Sequence, residues 1–204
     1  MSEIGRFVVF DGIGGCGKGT QIKMLEQRLV QLGKKVFVTC EHTRNTPIGR
    51  LIEGIIKKQE DGVDPVALQL MFVADRANHT KRVIKPALDS YNFVLADRYE
   101  ASTFAYAPQE RREYFLNVNR GVTTRPDLTL IIDLDPEEAV RRVEARNDAD
   151  IFDKVETLKN CRESYRWYFE NSGWPCAWIN GSGTKEKVAE LIFNEIQTRG
   201  MVNG

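Results

Sequence analysis

The chain lacks an excess of charge of either sign. Its 204 residues include 29 Lys and Arg and 29 Asp and Glu, so the formal net charge at pH 7 is zero. Proteins dedicated to binding nucleic acid or anionic membranes need a net basic field, and the composition argues against both classes. The 16 glycines and 7 prolines are too few and too scattered for a linker-rich chain. The length instead suits one compact domain over residues 1–204.

The chain also lacks the cysteine spacing of a metal site. Its four cysteines are far apart, they form no C-x-x-C pair, and only two histidines accompany them, so no zinc site follows. The first residues have no signal-peptide core, and the longest apolar runs are much shorter than a membrane span. We therefore expect a cytoplasmic protein with reduced thiols and with no membrane or nucleic-acid partner.

Strand and helix patterns alternate along the whole chain, which is typical of βαβ units and a parallel sheet. Short apolar runs predict five strands, at residues 6–11, 36–39, 93–96, 128–132 and 176–179. Apolar residues at helical spacing predict helices at residues 18–32, 47–58, 65–88, 137–146, 155–169 and 185–199. We expect an α/β fold, a three-layer sandwich in which helices flank a five-stranded parallel sheet.

A glycine-rich turn separates the first strand from the first helix. It matches G-x-x-x-x-G-K, the phosphate loop, in which glycines with positive φ let backbone N–H groups point at phosphate oxygens. The helix N-terminus adds partial positive charge, and the lysine reaches the β- and γ-phosphates of a nucleotide. The predicted ATP-binding residues are Gly12, Ile13, Gly14, Gly15, Cys16, Gly17, Lys18, Gly19 and Thr20.

The same turn also matches G-x-G-x-x-G, the dinucleotide fingerprint, through Gly12, Gly14 and Gly17. In that interpretation Glu41, at the end of the second strand, would hold a ribose. A dinucleotide turn has no use for a lysine directly after its last glycine, so Lys18 favours the phosphate loop. The turn by itself leaves both interpretations open.

Asp97-Arg98-Tyr99 follows the third predicted strand. In a doubly wound sheet, the carboxyl end of that strand lies beside the phosphate loop. Asp97 is then placed to orient Mg²⁺ or its water ligands, and Arg98 is placed to hold the phosphate of an acceptor. Taken alone, these residues also fit a helix-capping aspartate beside a surface arginine.

Five spaced segments of the chain resemble the thymidylate kinase family, and they occur in family order. The segments are residues 7–20, 46–49, 72–79, 97–106 and 125–139. Within the first, Gly19 replaces the usual hydroxyl residue, so no hydroxyl from this position can bind Mg²⁺. Gly-Lys-Gly-Thr is, however, the form that this loop takes in adenylate-kinase-like nucleotide kinases. Together the segments favour the phosphate loop over the dinucleotide fingerprint.

The resemblance implies roles for residues on the acceptor side. Phe72 would stack on the acceptor base, and Arg76 would donate a hydrogen bond to its carbonyl. Because stacking tolerates any base, Arg76, with Ser102 nearby, would favour a keto pyrimidine. Arg98 would bind the acceptor phosphate, and Tyr106 would pack near the sugar and disfavour a 2′-hydroxyl. A place in the hydrophobic core is the alternative for Phe72 and Tyr106.

The resemblance also implies a mobile lid at about residues 141–153. One branch of the family has a basic residue in the phosphate loop, whereas the other has glycine there and an arginine in the lid. Gly15 indicates the second branch, and Arg146 is the predicted lid arginine. An arginine that arrives on lid closure stabilises charge on the transferring phosphoryl group. A solvated arginine on an exposed helix face is the alternative.

Three parts of the chain depart from the family pattern. Gly14 replaces an acidic residue that usually contacts the acceptor sugar. Cys40 and His42 stand where an arginine and a proline are usual, and Arg44 in the same loop is the candidate to supply the guanidinium. Ile151 stands at a lid position that is often arginine. Together these departures allow an altered acceptor or a weakened enzyme.

We therefore expect phosphoryl transfer from ATP to dTMP, directly and in line, with Mg²⁺. The predicted catalytic residues are Lys18, Asp97, Arg98 and Arg146, with Asp97 at the metal. The predicted acceptor-binding residues are Phe72, Arg76, Arg98, Ser102, Tyr106 and Arg44. The resemblance also implies a homodimer. Two alternatives stay open, a kinase with an altered or relaxed acceptor such as dUMP and a nucleotide-binding protein without catalysis.

Overall fold

A computed structural model describes residues 4–58, 62–145 and 150–202. The sheet has five parallel strands, which confirms the predicted α/β fold. The strands are β1 Arg6–Asp11, β2 Val36–Cys40, β3 Phe93–Asp97, β4 Leu128–Asp133 and β5 Cys176–Asn180. Each strand begins at its predicted residue, and all but β1 extend one residue further than predicted.

Helices connect the strands and follow the last one. They are α1 Lys18–Gln31, α2 Pro47–Ile56, α3 Pro65–His79, α4 Lys85–Ser90, α5 Glu100–Tyr106, α6 Arg112–Arg120, α7 Pro136–Glu144, α8 Val155–Asn171 and α9 Lys185–Thr198. A 3₁₀ turn, Gln109–Arg111, precedes α6. In the part of the chain that the structure describes, no helix has the length and apolar character to cross a membrane.

The strand order β2-β3-β1-β4-β5 places β1 in the middle of the sheet. On one side Phe10 of β1 lies opposite Asp97 of β3, and on the other side Asp11 lies opposite Ile131 of β4. Because β3 and β4 lie on opposite sides of β1, the crossover connections diverge at its carboxyl end and open a crevice there. The glycine-rich loop after β1 lies in that crevice.

Helices cover both faces of the central strand. Val8 and Phe10 belong to a large apolar cluster that includes residues of α1, α5, α8 and α9. Phe7 and Val9 belong to a smaller cluster on the other face, with Ile84. Side chains alternate along a strand, so burial on both faces requires the unbroken apolar run that predicted β1.

The long helix predicted over residues 65–88 is interrupted. Asp64 caps α3 with its carboxylate, as its position before a proline suggests. The chain then forms one π-helical turn, Thr80–Ile84, and continues as α4. Pro86 has no N–H, and its ring conflicts with the carbonyl one turn earlier, so an unchanged α-helix cannot pass through this position. Apolar spacing alone did not show the change of register.

The sequence analysis did not predict α5 and α6. All residues of α5 from Glu100 to Ala105 are buried, and they include the polar Ser102 and Thr103. The pattern of polar and apolar residues in α5 therefore does not follow burial, so it has no amphipathic stripe to recognise. The helix matters for function because it follows Asp97 and Arg98 and forms one wall of the cavity described below.

Glu100 is a buried carboxyl group outside that cavity. Its side chain is 1% exposed, and it accepts a hydrogen bond from Tyr168 Oη at 3.1 Å. Burial raises the pKa of Glu100 to about 7, although this hydrogen bond and the charge of Arg120 oppose the rise. The folded protein therefore holds this proton more tightly than the unfolded chain does.

We expect Glu100→Gln to stabilise the protein at pH 8 by about 1–3 kcal/mol and to have a smaller effect at pH 5. The pKa of Glu100 is about 7 in the folded state and lower in the unfolded chain. The wild type consequently loses stability as the pH rises through the range between the two values. Urea unfolding at both pH values measures the difference, with the exposed Asp89→Asn as control. An equal change in the free energy of unfolding at both pH values would contradict a raised pKa for Glu100.

Candidate active site

A cavity of about 450 Å³ opens at the carboxyl edge of the sheet. Its wall is formed by the phosphate loop, by residues after β2 and β3, by α3 and α5, and by residues 150–153. Most of the predicted site residues lie on this wall, namely Gly14, Gly15, Gly17, Lys18, Gly19, Thr20, Arg44, Phe72, Arg76, Asp97, Arg98, Ser102 and Tyr106. Residues that are far apart in the sequence, and that we predicted to bind the donor and the acceptor, therefore line one cavity.

A few predicted residues are not on the wall. Ile13 and Cys16 are 2% and 3% exposed and pack in the hydrophobic core. Gly12 has φ of 137°, and a Cβ there would lie 2.6 Å from the carbonyl oxygen of Ile132. Glycine is thus required where the loop leaves β1. Arg146, the predicted lid arginine, lies outside the described residues.

The phosphate loop has the backbone that its sequence predicts. Gly15 and Gly17 have φ of 77° and 97°, and positive φ of this size is favourable for glycine but not for other residues. Lys18 begins α1, and its Nζ donates hydrogen bonds to the carbonyl oxygens of Gly12 and Ile13, each at 3.1 Å. Because these partners are neutral, the charge of the lysine remains available for phosphate oxygens at the helix N-terminus.

Gly14 lies against a carboxylate from the predicted lid. A Cβ added at Gly14 would be 2.2 Å from Oδ1 of Asp153, so a side chain at this position requires the carboxylate to move. Oδ2 of Asp153 accepts a hydrogen bond from the N–H of Asp150 at 3.0 Å. Asp153, a residue that sequence reasoning did not single out, therefore places a carboxylate beside the loop position at which the family usually has an acidic residue.

The turn at residues 150–153 is anchored at its other end. The N–H of Ile151 donates to the carbonyl oxygen of Ile56, at the end of α2, at 3.2 Å. The ring of Phe152 meets the ring of Tyr106 edge to face, with 5.0 Å between their centres. The apolar Ile151, which departs from the family pattern, packs in the cluster formed by α2 and α3. This turn thus links the acceptor side of the cavity to the phosphate loop.

Arg98 is held in a strained backbone conformation. Its φ of 69° lies in the left-handed region, which is unfavourable for a residue with a side chain. Its N–H donates to the carbonyl oxygen of Phe10 at 2.8 Å. Its Nη1 donates to the carbonyl oxygen of Gly12 at 3.3 Å and to Ser102 Oγ at 3.1 Å. These contacts fix a positive charge between the ends of β1 and β3.

Ser102, which we predicted to lie near the base, joins Arg98 to a buried acid. Its hydroxyl donates to Oδ1 of Asp11 at 2.5 Å, and Tyr165 Oη donates to the same oxygen at 2.8 Å. Asp11 is fully buried, and burial raises its pKa although these hydrogen bonds oppose the rise. Sequence reasoning missed Asp11, and the available signal was an acidic residue at the end of an apolar strand.

Asp97 has a carboxylate oxygen in need of a partner. Oδ1 is buried and has no hydrogen bond from any residue in the described ranges. Burying such an oxygen is unfavourable unless something binds it. Mg²⁺ prefers carboxylate, phosphate and water oxygens, so this group fits the ion. No set of three His, Cys, Asp or Glu residues within the described part of the chain could enclose a metal, so phosphates and water would complete the shell.

The loop after β2 lines the side of the cavity that we predicted to bind the acceptor. The ring of Phe72 lies 5.8 Å from the ring of His42, whose Nε2 lies 2.6 Å from Oε2 of Glu53. Arg44 is exposed at the rim. Burial raises the pKa of the Cys40 thiol, and the charge of Arg44 opposes the rise. His42 thus contacts the ring that we predicted to stack on the acceptor base.

Side chains of α3 form hydrogen bonds with the same loop. Arg76 is 1% exposed, and its Nε donates to Oε2 of Glu41 at 2.6 Å. The neighbouring Asp75 accepts hydrogen bonds from the N–H of Thr43 at 2.7 Å and from the hydroxyl of Thr46 at 3.1 Å. The dinucleotide interpretation assigned Glu41 to a ribose, but its carboxylate instead accepts a hydrogen bond from Arg76.

The fold and the cavity are accompanied by a match to one family. The family model for thymidylate kinase matches residues 10–192. The chain belongs to the thymidylate kinase family. Membership confirms the family that the five spaced segments suggested. It also confirms that the chain is a phosphate-loop nucleoside monophosphate kinase, which uses ATP as its donor. The dinucleotide interpretation is wrong.

Individual thymidylate kinases support the same assignment. A protein named "Probable thymidylate kinase" from Methanosarcina acetivorans is 32% identical over 94% of this chain and 95% of its own. Its counterpart in Pyrobaculum aerophilum is 37% identical over 94% and 96%. The one in Pyrococcus abyssi is 40% identical over 79% and 81%. The solved structure of thymidylate kinase from Candida albicans has the same fold, with a TM-score of 0.78 and 18% identity over 99% of this chain and 95% of that one.

We expect Gly14→Ala to displace the turn at residues 150–153, because the added methyl group collides with Asp153. The amide proton of Ile151, which bonds to Ile56, should then exchange faster with solvent, and hydrogen exchange followed by mass spectrometry measures it. The double variant Gly14→Ala, Asp153→Ala restores the room and should return the exchange rate towards that of Asp153→Ala alone. Unchanged protection of Ile151 in Gly14→Ala would show that the contact does not hold the turn.

Proposed function

We propose that the chain transfers the γ-phosphoryl group of ATP to dTMP, giving ADP and dTDP. Membership in the thymidylate kinase family supports the reaction. The observation that supports it in the structure is the cavity itself, whose wall contains both Lys18, at the start of α1, and Arg98, directly after β3. Two anion-binding groups that face one cavity suit a reaction between two phosphates. Positioning and charge stabilisation then lower the barrier, without covalent chemistry by the protein.

The donor side consists of the phosphate loop. Backbone N–H groups of the loop and the N-terminus of α1 would hold the β- and γ-phosphates of ATP. Lys18 would place its ammonium on the same oxygens, since its present partners are two carbonyl oxygens and the Sγ of Cys16 and include no carboxylate among the described residues. The loop therefore binds and orients the donor.

The acceptor side begins at Arg98 and extends to α3. Arg98 would bind the phosphate of dTMP, at a position fixed by its hydrogen bonds to Gly12 and Ser102. Phe72 would stack on the base and Arg76 would donate to its carbonyl. Tyr106 would lie beside the sugar and exclude a 2′-hydroxyl, with its ring 5.4 Å from the Arg98 guanidinium.

Mg²⁺ would be held by Asp97 through its unpartnered Oδ1, directly or through water. When bound, the ion neutralises negative charge on the phosphates. Arg146 as a lid arginine, the lid at residues 141–153, the homodimer and the cytoplasmic location stay predictions. Asp153 would offer its carboxylate to a hydroxyl group of the acceptor sugar, in place of the acid missing at Gly14.

The reaction is tested by measuring ADP release from ATP and Mg²⁺ with dTMP, dUMP, dCMP, UMP or AMP as acceptor. We expect dTMP to have the highest kcat/KM, well above that of UMP and dCMP. A clear preference for another acceptor would keep the fold and reaction but contradict dTMP as the substrate. Binding of ATP without turnover on any acceptor would contradict the enzyme assignment and indicate a nucleotide-binding protein.

We also expect Asp97→Asn to lower kcat by about 10–100-fold at fixed Mg²⁺ and to shift the Mg²⁺ dependence to higher concentration. The substitution removes the charge of a carboxylate whose buried Oδ1 has no hydrogen-bond partner among the described residues. Coupled-assay kinetics over a Mg²⁺ titration measure both effects. The matched control is Asp89→Asn, which lies on α4 outside the cavity. The same Mg²⁺ dependence in Asp97→Asn and wild type would show that Asp97 does not hold the ion.

A further inference from the structure

The positive charge of Arg98 is not neutralised by direct contact with an acid. Its Nη1 donates to the carbonyl oxygen of Gly12 and to Oγ of Ser102, and neither partner is charged. Asp11 and Asp97 are near enough to act on the guanidinium electrostatically, yet neither of them, nor any other described carboxylate, forms an ion pair with it. The charge therefore remains available to an anion in the cavity.

Asp11 is the buried acid behind Arg98, and hydrogen-bond donors from three residues occupy its carboxylate. Oδ1 accepts from the hydroxyls of Ser102 and Tyr165, at 2.5 Å and 2.8 Å. Oδ2 accepts from the N–H of Tyr99 at 3.2 Å. Asp11 is fully buried and is not part of the cavity wall. Its carboxylate is therefore stabilised by these donors and has no need of the guanidinium.

Tyr165 supplies one of these donors from α8. Its side chain is 1% exposed and is not part of the cavity wall. Burial and the charge of Asp11 raise the pKa of Tyr165 well above its usual value, so the hydroxyl keeps its proton and donates it. Oη also lies 3.0 Å from Oγ of Ser102. Because Ser102 gives its only proton to Asp11, it presents lone pairs to Arg98.

We propose that Tyr165 is a positioning residue that keeps Arg98 free for the phosphate of the acceptor nucleotide. Its hydroxyl occupies Oδ1 of Asp11, so this carboxylate does not compete with the substrate for the guanidinium. Tyr165 acts through Asp11 and Arg98 and needs no contact with the substrate. The inference rests on the proposed function, because it requires that Arg98 binds the acceptor phosphate.

Tyr165→Phe removes the hydroxyl and retains the ring, which meets the ring of Tyr106 edge to face with 6.4 Å between their centres. Asp11 then loses one donor, and its negative charge attracts Arg98 more strongly. The matched control is Tyr168→Phe. Tyr168 also lies on α8, is also 1% exposed, and donates to a different buried carboxyl group, that of Glu100, at 3.1 Å. Neither Tyr168 nor Glu100 is part of the cavity wall.

The readout is the contribution of the phosphate to binding. Thymidine has the base and sugar of dTMP but no phosphate, so the ratio of the two dissociation constants, measured by calorimetry without ATP, isolates it. We expect Tyr165→Phe to weaken binding of dTMP by about tenfold and to leave binding of thymidine unchanged. Tyr168→Phe should keep the wild-type ratio. An unchanged ratio in Tyr165→Phe, or an equal loss for both ligands, would overturn the proposal.

A double-mutant cycle tests whether Tyr165 acts through Arg98. Arg98→Ala removes the guanidinium, so adding Tyr165→Phe to this variant should cause no further loss of affinity for dTMP. A further loss as large as the one caused by Tyr165→Phe in the wild type would show that the tyrosine acts by another route, and the proposal would be wrong.

Equilibrium binding also separates this inference from the proposed function. If the wild type binds dTMP more tightly than thymidine but transfers no phosphoryl group, the proposed reaction fails and the variants still test Tyr165. If the wild type binds both ligands equally, Arg98 does not hold a phosphate and the inference is wrong.

Discussion

The parallel pairing of β1 with β3 is the constraint on which the rest of the site depends. Its register puts Phe10 opposite Asp97, so the phosphate loop and Arg98 leave the sheet side by side. The hydrogen bond from the N–H of Arg98 to the carbonyl oxygen of Phe10 extends that pairing past the end of β3. The strained φ of Arg98 is tolerated because these backbone bonds determine it. Donor and acceptor phosphates can then approach each other.

Buried charges around this edge are compensated in pairs and triads. Arg98 lies near Asp11, which is bonded by Ser102 and Tyr165, and Arg76 lies on Glu41. Removing one member of such a set leaves an uncompensated charge in the interior, which is strongly unfavourable. The compensation allows two arginines to stay charged and held by hydrogen bonds at the wall of the cavity. Immobile donors lose little entropy when a nucleotide binds.

Much of the fold and part of the site were predictable from the sequence. Apolar runs located all five strands, because strands buried on both faces leave an unambiguous pattern. Helix α5 was missed because its buried residues include Glu100, Ser102 and Thr103. Among site residues, Lys18 was identified from the loop motif. Glu41 was considered only as a ribose-binding residue, because its hydrogen bond to Arg76 joins residues 35 positions apart.

The sequence by itself determined the five strands and the phosphate loop, because these depend on local spacing and periodicity, and it indicated the family through the resemblance of five segments. Only the tertiary structure decided which side chains meet. The carboxylate of Asp153 lies beside Gly14, and the hydroxyl of Ser102 lies between Asp11 and Arg98. These contacts depend on how helices and turns pack across the sheet edge. Packing depends on the shape of the whole core, so a short stretch of sequence does not predict it.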